Sequence, residues 1–500
     1  MHYVYNIVIC YNTKCKVIVK GFVLYLTDYL VRNAEETPDK PAIIFEDVTY
    51  TWAHLNKQVE AAAQILVGMV PSDKQSIIGI LLPNSPEFVV AYLAIVHVGH
   101  IAMPLDPNFK KPEVVNVVEQ MEPFFTITDT TSQVLFNEFQ KTILFSELSG
   151  TVASQATEKY LRINPSEQYV SMLFTSGTTG NPKATPYSHS NHQWNINAVS
   201  DLWKWTSEDT LLISLALSHW HGLCVGLTGA LMHGNTIYLH ERFEPEATLQ
   251  TLSTGDISLF MHVPIAYSKI VEHNLEAQYD LSKVRLCISG SSFLPPAIWQ
   301  QFKQRFNQEI LERYGASEMG FLTSNLLSSR IPGCVGKPLP GVTIKIQKDG
   351  EIAMKSPGLF NGYWKNQEAT DEHRTKDGLW LSGDIAKLDE EGRVHLKGRV
   401  QEKMKKFGYT VYPRDVEWSL MQNPHVTDAI VMSIQSDQSL SDQFVYFVVA
   451  DISEEEITEY CKKNMPNYWR PDIIKILKAI PRTGRASKPA LKELRALVEG

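Results

Sequence analysis

The sequence predicts an α/β protein with a large N-terminal domain of doubly wound sheets, a β-rich subdomain, and a small α+β C-terminal domain. Three changes of pattern along the 500 residues support this prediction. Short apolar strands alternate with amphipathic helices up to about Pro332, period-two hairpins follow as far as Arg399, and a smaller strand–helix unit begins at Val400. A chain of this length exceeds what one hydrophobic core usually holds. We therefore predict an N-terminal extension of unknown role over 1–25, an N-terminal domain over 26–399 and a C-terminal domain over 400–500.

The strand–helix alternation is clearest in the first half of the chain. The segments "SIIGILL" and "HIAMPLD" are predicted strands on either side of the helix "EFVVAYLAIVHVG". Further on, the strands "DTLLISLAL", "NTIYLH" and "DISLFMHV" are separated by the helices "LCVGLTGALMHG" and "PEATLQTLS". Strands that are apolar on both faces and spaced by helices are typical of a parallel sheet that is covered on both sides.

The pattern after Pro332 indicates hairpins. "VTIKIQKDGEIAMKS" and "WLSGDIAKLDEEGRVHLKGR" alternate with a period of two and carry D-G and E-G turns. From Val400, "DAIVMSI" and "FVYFVVA" are predicted strands and "EEEITEYCKKN" a predicted helix. We therefore place the domain boundary at Arg399.

The composition excludes several classes of protein. The chain is 44% hydrophobic and 20% charged, with a net charge of -8, so we expect no nucleic-acid partner. No apolar run reaches the roughly 18 residues that a membrane span needs, so we expect no transmembrane segment. The six cysteines form no C-x-x-C pair and lie mostly in apolar runs. This usage predicts buried thiols in a reducing compartment, and we expect a cytoplasmic protein.

A loop rich in small hydroxyl residues is the first candidate for chemistry. "YVSMLF" is a predicted strand and "SNHQWNINAVSDLW" a predicted helix, so 175–183 would be the loop between them. It is not a Walker loop, because its lysine comes three residues after the glycine and not directly after it. Hydroxyls, glycine backbone N–H groups and a lysine suit phosphate binding, which we favour over a plain surface loop. The candidate residues are Thr175, Ser176, Gly177, Thr178, Thr179, Gly180 and Lys183.

The second candidate is the end of the predicted strand in "EILERYGASEMG". Ligands bind at the carboxyl edge of the strands in open α/β sheets. A carboxylate at that edge, facing a phosphate loop, suits Mg²⁺. We therefore favour a metal role for Glu318 over that of a solvated loop acid. The residues that the strand carries to this edge are Tyr314, Gly315, Ser317 and Glu318.

Two further candidate sites indicate a function only in combination with the phosphate loop and Glu318. Asp384 and Arg399, on the second predicted hairpin, could hold a ribose by its hydroxyls, although either residue alone would be an ordinary surface charge. Lys488 lies in a loop containing Gly, Ser and Ala near the C-terminus, where a lone lysine usually has no role.

Together these motifs resemble the AMP-forming acyl-CoA synthetase family, the adenylate-forming ligases. "FTSGTTGNPKATPYSH" is similar to that family's phosphate loop, and "RYGASE" to its Y-G-x-T-E segment. "GYWKNQEAT" with "DGLWLSGD" resembles its ribose-binding segment. "GRVQEKMKKFGYTVYPRDVE" resembles its hinge and the start of its mobile domain. The resemblance extends from about Leu26 to the C-terminus.

The resemblance implies an enzyme that joins a carboxylic acid to ATP, releases pyrophosphate, and transfers the acyl group from AMP to the thiol of coenzyme A. Closure of the small domain would exclude water from the hydrolysable acyl-AMP. The resemblance also implies a role for each candidate. The phosphate loop would hold the β- and γ-phosphates, Glu318 would bind Mg²⁺, and Ser317 would contact the AMP phosphate. Tyr314 would pack by the adenine, Asp384 and Arg399 would hold the ribose, and Lys488 would bridge the carboxylate and the α-phosphate.

The implied hinge and the last motif depart from the family pattern. The small domain would rotate about position 401 and bring Gly408 into a tunnel for the pantetheine arm. Gln401 stands where Lys or Asp is usual, and Ser317 and Ser382 stand where threonine is usual. "PRTGRASK" lacks a second glycine and is one residue longer than the usual motif, so Lys488 fits the family pattern least well.

The residues that would bind the acid leave its class open. "LSHWHG" resembles the segment whose aromatic or histidine gates the carboxylate, here His219, and Gly290 is a further pocket residue by resemblance. The "H-x-H-G" form and Arg313 resemble malonyl-CoA synthetase-like relatives, in which an arginine pairs with a second carboxylate. Alternatively, Arg313 makes a structural ion pair. A short dicarboxylic, a fatty and an aromatic acid all remain open. A metal site at His219 and His221 is disfavoured, because nothing nearby completes one.

Three functions remain open. The first is a coenzyme A ligase, the second an acyl-AMP ligase that loads a carrier protein, and the third a non-catalytic nucleotide-binding protein. The basic "KKFG" segment suits free coenzyme A, and the candidate residues of an active enzyme are all present. We therefore favour the first. A homodimer is possible.

Overall fold

The computed structural model describes residues 23–136, 139–148, 160–161, 163–175, 183–434, 442–483 and 488–499. The predicted extension over 1–25 lies almost entirely outside these ranges. None of the helices within them is long and apolar enough to cross a membrane. Four cysteines are buried free thiols, as predicted: Cys224, Cys287, Cys334 and Cys461.

The first third of the chain alternates strands and helices. Helix α3 shows how the sequence sets one element: Pro86 occupies its first turn, and the Ser85 side chain caps it by accepting from Phe88 N. The helix is buried on nearly all sides because it packs against strands and against other helices. The elements are α1 (Leu26–Glu36), β1 (Pro41–Phe45), β2 (Val48–Thr51), α2 (Trp52–Val67), β3 (Ile77–Leu81), α3 (Pro86–His97), β4 (Ile101–Pro104), α4 (Lys111–Met121), β5 (Phe125–Thr128), β6 (Thr142–Leu144) and β7 (Tyr169–Phe174).

The middle of the chain continues the alternation and includes one turn of unusual geometry. The predicted helix "LCVGLTGALMHG" begins as a π-helix over His221–Leu227, a form often found at functional sites. The elements are β8 (Ala184–Ser188), α5 (His189–Trp203), β9 (Thr210–Ile213), α6 (Thr228–His233), β10 (Thr236–Leu239), α7 (Pro245–Thr254), β11 (Leu259–His262), α8 (Pro264–Glu272), β12 (Leu286–Ser289), α9 (Pro296–Phe306), β13 (Ile310–Ala316) and β14 (Gly320–Ser324).

The last part holds the two predicted hairpins and the C-terminal unit. The elements are β15 (Lys337–Pro338), β16 (Thr343–Ile346), β17 (Glu351–Lys355), α10 (Gln367–Glu372), β18 (Trp380–Leu388), β19 (Val394–Arg399), β20 (Met404–Lys406), β21 (Tyr409–Val411), α11 (Pro413–Leu420), β22 (Val426–Ile434), β23 (Gln443–Ala450), α12 (Glu454–Asn464), β24 (Ile473–Ile476), β25 (Arg482–Thr483), β26 (Lys488–Pro489) and α13 (Leu491–Glu499).

Two mainly parallel sheets form the body of the protein, which confirms the predicted α/β class. Among the described residues, one sheet has the strand order β6-β5-β3-β4-β7-β8 and the other β15-β14-β13-β12-β11-β9-β10-β1-β2. The central pairs are parallel, and antiparallel strands stand at the edges. Strands β16 to β19 form a separate antiparallel sheet.

The structure corrects one expectation about the phosphate loop. Residues 175–183 do not connect a strand to a helix, because β8 comes first and pairs antiparallel with β7. The segment "ATPYS" that forms β8 is small and polar with a proline, so it lacks the apolar alternation of a strand. Burial of all five residues and the bond from Thr185 Oγ1 to Leu173 O (2.9 Å) hold it in the sheet instead. The predicted loop is therefore the connection of a hairpin.

The C-terminal unit has its own hydrophobic core and contacts the larger domain through a few side chains. Val416, Phe444 and Ile457 are buried in that core, and Phe293 of the larger domain packs against it. The Arg414 guanidinium carbon lies 4.5 Å from the centre of the Phe293 ring. These contacts fix the position of α11 relative to the larger domain in this structure.

Candidate functional site

The candidate site is built at the carboxyl end of β13, as the sequence predicted. Tyr314 and Gly315 lie on the strand, and Ser317 and Glu318 lie in the turn that leads into β14. The chain turns back so tightly that a Cβ on Gly315 would lie 2.1 Å from the Gly320 carbonyl oxygen. Position 315 therefore has to be glycine for Glu318 to be presented at this edge of the sheet.

Three of the predicted nucleotide residues contact one another. The Tyr314 hydroxyl donates to Asp384 Oδ2 (2.6 Å), and Arg399 Nε lies 3.0 Å from Asp384 Oδ1. Asp384 and Arg399 are directly opposite on β18 and β19. The negative charge of Asp384 raises the pKa of Arg399, while burial raises the pKa of Tyr314 well above its usual range. A carboxylate has about four lone-pair sites, so Asp384 still has acceptor capacity for ribose hydroxyls.

Tyr363, which the sequence did not single out, contacts both Lys183 of the predicted phosphate loop and Glu318, the predicted metal ligand. The Tyr363 hydroxyl donates to Glu318 Oε1 (3.0 Å), and Lys183 Nζ lies 4.9 Å from the centre of the Tyr363 ring. Burial and the nearby Glu318 charge raise the pKa of Tyr363, so its hydroxyl stays protonated and donates. The signal was present in "GYWKNQEAT", which the sequence reasoning assigned to the ribose.

The phosphate loop is described only at its two ends. Thr175 N donates to Lys183 O (3.0 Å), which closes the hairpin formed by β7 and β8. This contact brings Lys183 back beside the end of β7. The other candidates of the loop, Ser176, Gly177, Thr178, Thr179 and Gly180, lie outside the described residues.

The metal role of Glu318 rests on one carboxylate. Within the described ranges, no group of three or more His, Cys, Asp or Glu side chains could hold a metal ion. Mg²⁺ does not need such a group, since it commonly takes one or two carboxylates together with waters and substrate phosphates. The half-buried Glu318 carboxylate, close to Lys183 through Tyr363, fits a Mg²⁺ ion that arrives with a nucleotide.

The structure also brings together two of the predicted acid-binding residues. Arg313 is 3% exposed, and its guanidinium carbon lies 4.8 Å from the centre of the Phe321 ring. A Cβ on Gly290 would lie 2.5 Å from Arg313 Cζ and Nε. Glycine at 290 therefore leaves the space that the guanidinium fills. The two residues come from the ends of neighbouring strands, β12 and β13.

The Arg313 guanidinium lacks the partners that a buried cation normally has. Among the described residues, Nε and Nη2 have no hydrogen-bond partner, and no carboxylate forms an ion pair with Arg313. Burial lowers the pKa of Arg313 to about 9, so the group is still a cation at neutral pH. The described residues thus do not support the alternative of a structural ion pair. An unpaired buried charge is costly, so this position suits an anionic ligand.

His221, a buried histidine next to this cation, also has polar atoms without a partner among the described residues. His221, in the first turn of the π-helix, is 5% exposed, and neither of its ring nitrogens has a partner in the described part of the chain. Burial, and then the positive charge of Arg313, hold the pKa of His221 well below its usual range. It is therefore a neutral imidazole that can donate one hydrogen bond and accept another. The predicted gate, His219, lies half-buried just before the π-helix.

The remaining predicted residues belong to the C-terminal unit and are not joined to the site by the described contacts. Gln401 is exposed on a short 3₁₀ helix (Val400–Glu402). Gly408 is exposed at the turn between β20 and β21, with φ of +81°. Lys488 begins β26, opposite Thr483, and its side chain lies outside the described part. The hinge, tunnel and bridging roles stay predictions.

Comparison with known proteins gives matches over nearly all of the chain. The family model "AMP-binding enzyme" matches residues 30–364, and the model "AMP-binding enzyme C-terminal domain" matches 415–486. The chain is 28% identical over 480 residues to a malonate–CoA ligase of Arabidopsis thaliana, covering 83% of this chain and 77% of that protein. It is 27% identical over 526 residues to the mitochondrial malonate–CoA ligase ACSF3 of Homo sapiens, covering 91% and 89%. The crystal structure of ATP-bound MatB from Rhodopseudomonas palustris superposes with a TM-score of 0.86 at 25% identity, covering 94% and 98%.

Proposed function

Because this chain belongs to the AMP-binding enzyme family, we propose that it is an ATP-dependent ligase that converts a short dicarboxylic acid to its acyl-AMP and then to its coenzyme A thioester. The match to the family model confirms the predicted family, and the two relatives named above are both coenzyme A ligases. The dicarboxylic substrate is the more specific part of the proposal and rests on the acid pocket.

The observation that carries the substrate class is the unpaired guanidinium of Arg313. A monocarboxylate would present its single carboxylate to ATP and leave Arg313 buried without an anion. A dicarboxylate has a second carboxylate, which can pair with a guanidinium through two parallel hydrogen bonds. His221 could donate a further bond to the same carboxylate, because both of its ring nitrogens are unused in the described structure. Two relatives named malonate–CoA ligases support this choice.

The nucleotide would lie beside the carboxyl end of β13 and the strands β18 and β19. Asp384 and Arg399 would bind the ribose, Tyr314 would pack beside the adenine, and Ser317 would contact the α-phosphate. Lys183 would reach the outer phosphates. Mg²⁺ supplies charge neutralisation of the departing pyrophosphate, and Glu318 is the carboxylate that would hold it.

The second half-reaction would depend on the C-terminal unit. In this proposal the unit rotates about Gln401, Gly408 enters the pantetheine tunnel, and Lys488 acts in the first half-reaction. These roles carry over from the family resemblance. The cytoplasmic location and the homodimer also stay predictions, and the human relative is named as mitochondrial.

The experiment that tests the proposal is pyrophosphate release with ATP and Mg²⁺ across short dicarboxylic, short monocarboxylic, fatty and aromatic acids, with and without coenzyme A. Malonate, succinate, propionate, octanoate and benzoate form a sufficient set. We expect turnover that needs coenzyme A and is fastest on a short dicarboxylate. Turnover restricted to monocarboxylates would overturn the substrate class. Adenylation that does not respond to coenzyme A would instead indicate a carrier protein as the acceptor, and absence of adenylation would indicate a non-catalytic protein.

A further inference from the structure

A polar cavity of about 310 Å³ lies outside the site described above. Among the described residues, none of those assigned to the nucleotide, the metal or the acid line it. It is formed where the loop after β17, the start of α5 and the segment after α10 meet. The polar residues that matter for its chemistry are Ser166, Ser190, Asn191, Lys355, Ser356 and Arg374.

Two cations face this cavity without an acid to neutralise them. Lys355 is exposed at the end of β17, and Arg374 is half-buried just after α10. The Arg374 Nη2 donates to the Asn361 carbonyl oxygen (3.1 Å), and its guanidinium carbon lies 5.8 Å from the Trp380 ring centre. Within the described residues, neither cation forms an ion pair and no Asp or Glu lines the cavity. The described lining therefore has a net positive charge.

A neutral hydrogen-bond donor shares the cavity lining with the two cations. Ser356 is 7% exposed, and its Oγ accepts from Gly358 N (3.0 Å), so its hydroxyl proton is available to a ligand. Arg374 still has guanidinium N–H groups beyond the one used by Asn361. Tetrahedral oxyanions suit such a set, because each oxygen can accept several bonds from differently directed donors. A volume of this size is at the lower end of small-molecule pockets, which start at about 300 Å³.

We propose that the cavity lined by Lys355, Arg374 and Ser356 binds a small phosphate-bearing molecule. Among the described residues, Lys183, Glu318 and Asp384 are absent from its lining, which distinguishes this site from the proposed nucleotide site. Its wall nevertheless includes Phe360, whose backbone N–H donates to the Glu318 carbonyl oxygen (3.1 Å). A bound phosphate would therefore lie against the segment that supports the metal carboxylate.

Calorimetric titration of the full-length protein with inorganic phosphate, without ATP, acid or coenzyme A, tests this proposal independently of the proposed activity. The test variant is Lys355→Gln with Arg374→Gln. The matched control is Lys345→Gln, because Lys345 is exposed on the neighbouring strand β16, pairs with Asp377 (3.4 Å) and does not line the cavity. Lys183→Gln reports phosphate bound in the nucleotide site. All titrations are made at equal ionic strength.

We expect the double variant to lose at least tenfold in phosphate affinity at one site, and the Lys345→Gln and Lys183→Gln proteins to keep that site within about twofold of wild type. Unchanged binding in the double variant would overturn the proposal, as would loss of all phosphate binding in Lys183→Gln alone. Arg374 also packs on Trp380, so Lys355→Gln alone repeats the test with that packing intact. It should weaken binding in the same direction.

Pyrophosphate and glycerol phosphate, titrated into the same proteins, distinguish the reaction product from a phosphate monoester as the source of the phosphate group. Malonate serves as a dianion without phosphate. Binding of either phosphate compound that depends on Lys355 and Arg374 supports the proposal. Malonate binding as tight as phosphate at this site would contradict the phosphate class.

Discussion

The nucleotide side and the acid side of the candidate site differ in how far the protein satisfies its own polar groups. On the nucleotide side, Asp384 accepts from Tyr314 and pairs with Arg399, and Glu318 accepts from Tyr363. On the acid side, Arg313 and His221 are buried with polar nitrogens that lack partners in the described structure. Buried polar groups are nearly always hydrogen-bonded in proteins. The exception at Arg313 therefore indicates where a charged part of the substrate would complete the structure.

On the nucleotide side the polar groups already hold one another in place, so a substitution there should slow catalysis whichever acid is used. On the acid side the unpaired groups contribute selectivity, so a substitution there should change which acid is preferred. Variants on the two sides should therefore differ in whether their loss of activity depends on the acid.

The largest effect is expected for Glu318→Gln on the nucleotide side. Glutamine can still accept the Tyr363 hydrogen bond but lacks the negative charge that Mg²⁺ needs. We expect pyrophosphate release to fall by about 10²- to 10³-fold, the size seen when one strong transition-state interaction is removed. Steady-state rates over a range of Mg²⁺ concentrations measure this.

The matched variant for Glu318 is Tyr363→Phe, which keeps the ring under Lys183 and removes only the hydroxyl. Its loss should be about fivefold, as for one ordinary hydrogen bond. Equal losses in the two variants would mean that Glu318 acts through its contact with Tyr363 and not through a metal.

Much of this division could not be read from the sequence, for physical reasons. The strands β3 and β4 and the helix α3 were predictable, because their apolar patterns are strong and local. The contacts of Tyr363 were not predictable. Tyr363 is 45 residues from Glu318 in the sequence and is also distant in sequence from Lys183, so both contacts depend on the fold.

The acid side shows the same limit. "RYGASE" indicated where Arg313 stands, and family resemblance indicated Gly290. Neither pattern shows that one residue makes space for the other, because their contact depends on the pairing of β12 with β13. The strand β8 was missed because burial, and not an apolar alternation, holds its small polar residues in the sheet.

The second prediction concerns Asp384 on the nucleotide side. In Asp384→Asn, Arg399 loses its anion and a ribose in the proposed site would lose a charged acceptor, while Tyr314 can still donate to the amide oxygen. We expect KM for ATP to rise about tenfold, since bonds to charged groups contribute about 1.5–3 kcal/mol and part of the contact survives. The change should be equal with malonate and with propionate. A change that depends on the acid would contradict the division between the two sides.

The third prediction concerns a substitution on the acid side that removes no charge. In Gly290→Ala the new Cβ would lie 2.5 Å from the Arg313 guanidinium, which has to move. We expect KM for the dicarboxylate to rise about tenfold, because a cation that is shifted by a methyl group loses most of its two-point pairing. KM for ATP should be unchanged.

The control for this variant is Gly68→Ala, where the nearest atom to a new Cβ is a carbonyl oxygen at an ordinary 3.6 Å. Its kinetics should match wild type. If Gly290→Ala raises KM for ATP and for the dicarboxylate together, position 290 supports the whole site and not the acid pocket.

The smallest effect is on stability and concerns Glu312, the neighbour of Arg313 on β13. Glu312 is buried and accepts from Gly333 N (2.7 Å), and burial raises its pKa to about 8. The folded protein therefore holds a proton at pH values where the unfolded chain, with a pKa of about 4.3, has lost it. Its contribution to stability is present below the unfolded pKa and decreases as the pH rises from about 4.3 towards 8.

We therefore expect the melting temperature of wild type to decrease more between pH 5 and pH 8 than that of Glu312→Gln. Thermal unfolding at several pH values measures the difference, and kinetic constants at pH 7 should stay within about twofold of wild type. A steeper pH dependence in the variant would contradict the assignment of a raised pKa to Glu312.

The selectivity of Arg313→Leu tests whether Arg313 binds a second carboxylate, and it is measured as kcat/KM for malonate and for propionate, two acids with the same carbon number. We predict that kcat/KM for malonate falls about a hundredfold or more, since losing one partner of a buried charge pair costs about 2–5 kcal/mol. The value for propionate should stay within about threefold, and Arg313→Lys should recover part of the malonate activity. Equal losses on both acids, or no loss on malonate, would contradict the claim that Arg313 is left unpaired to receive a second carboxylate.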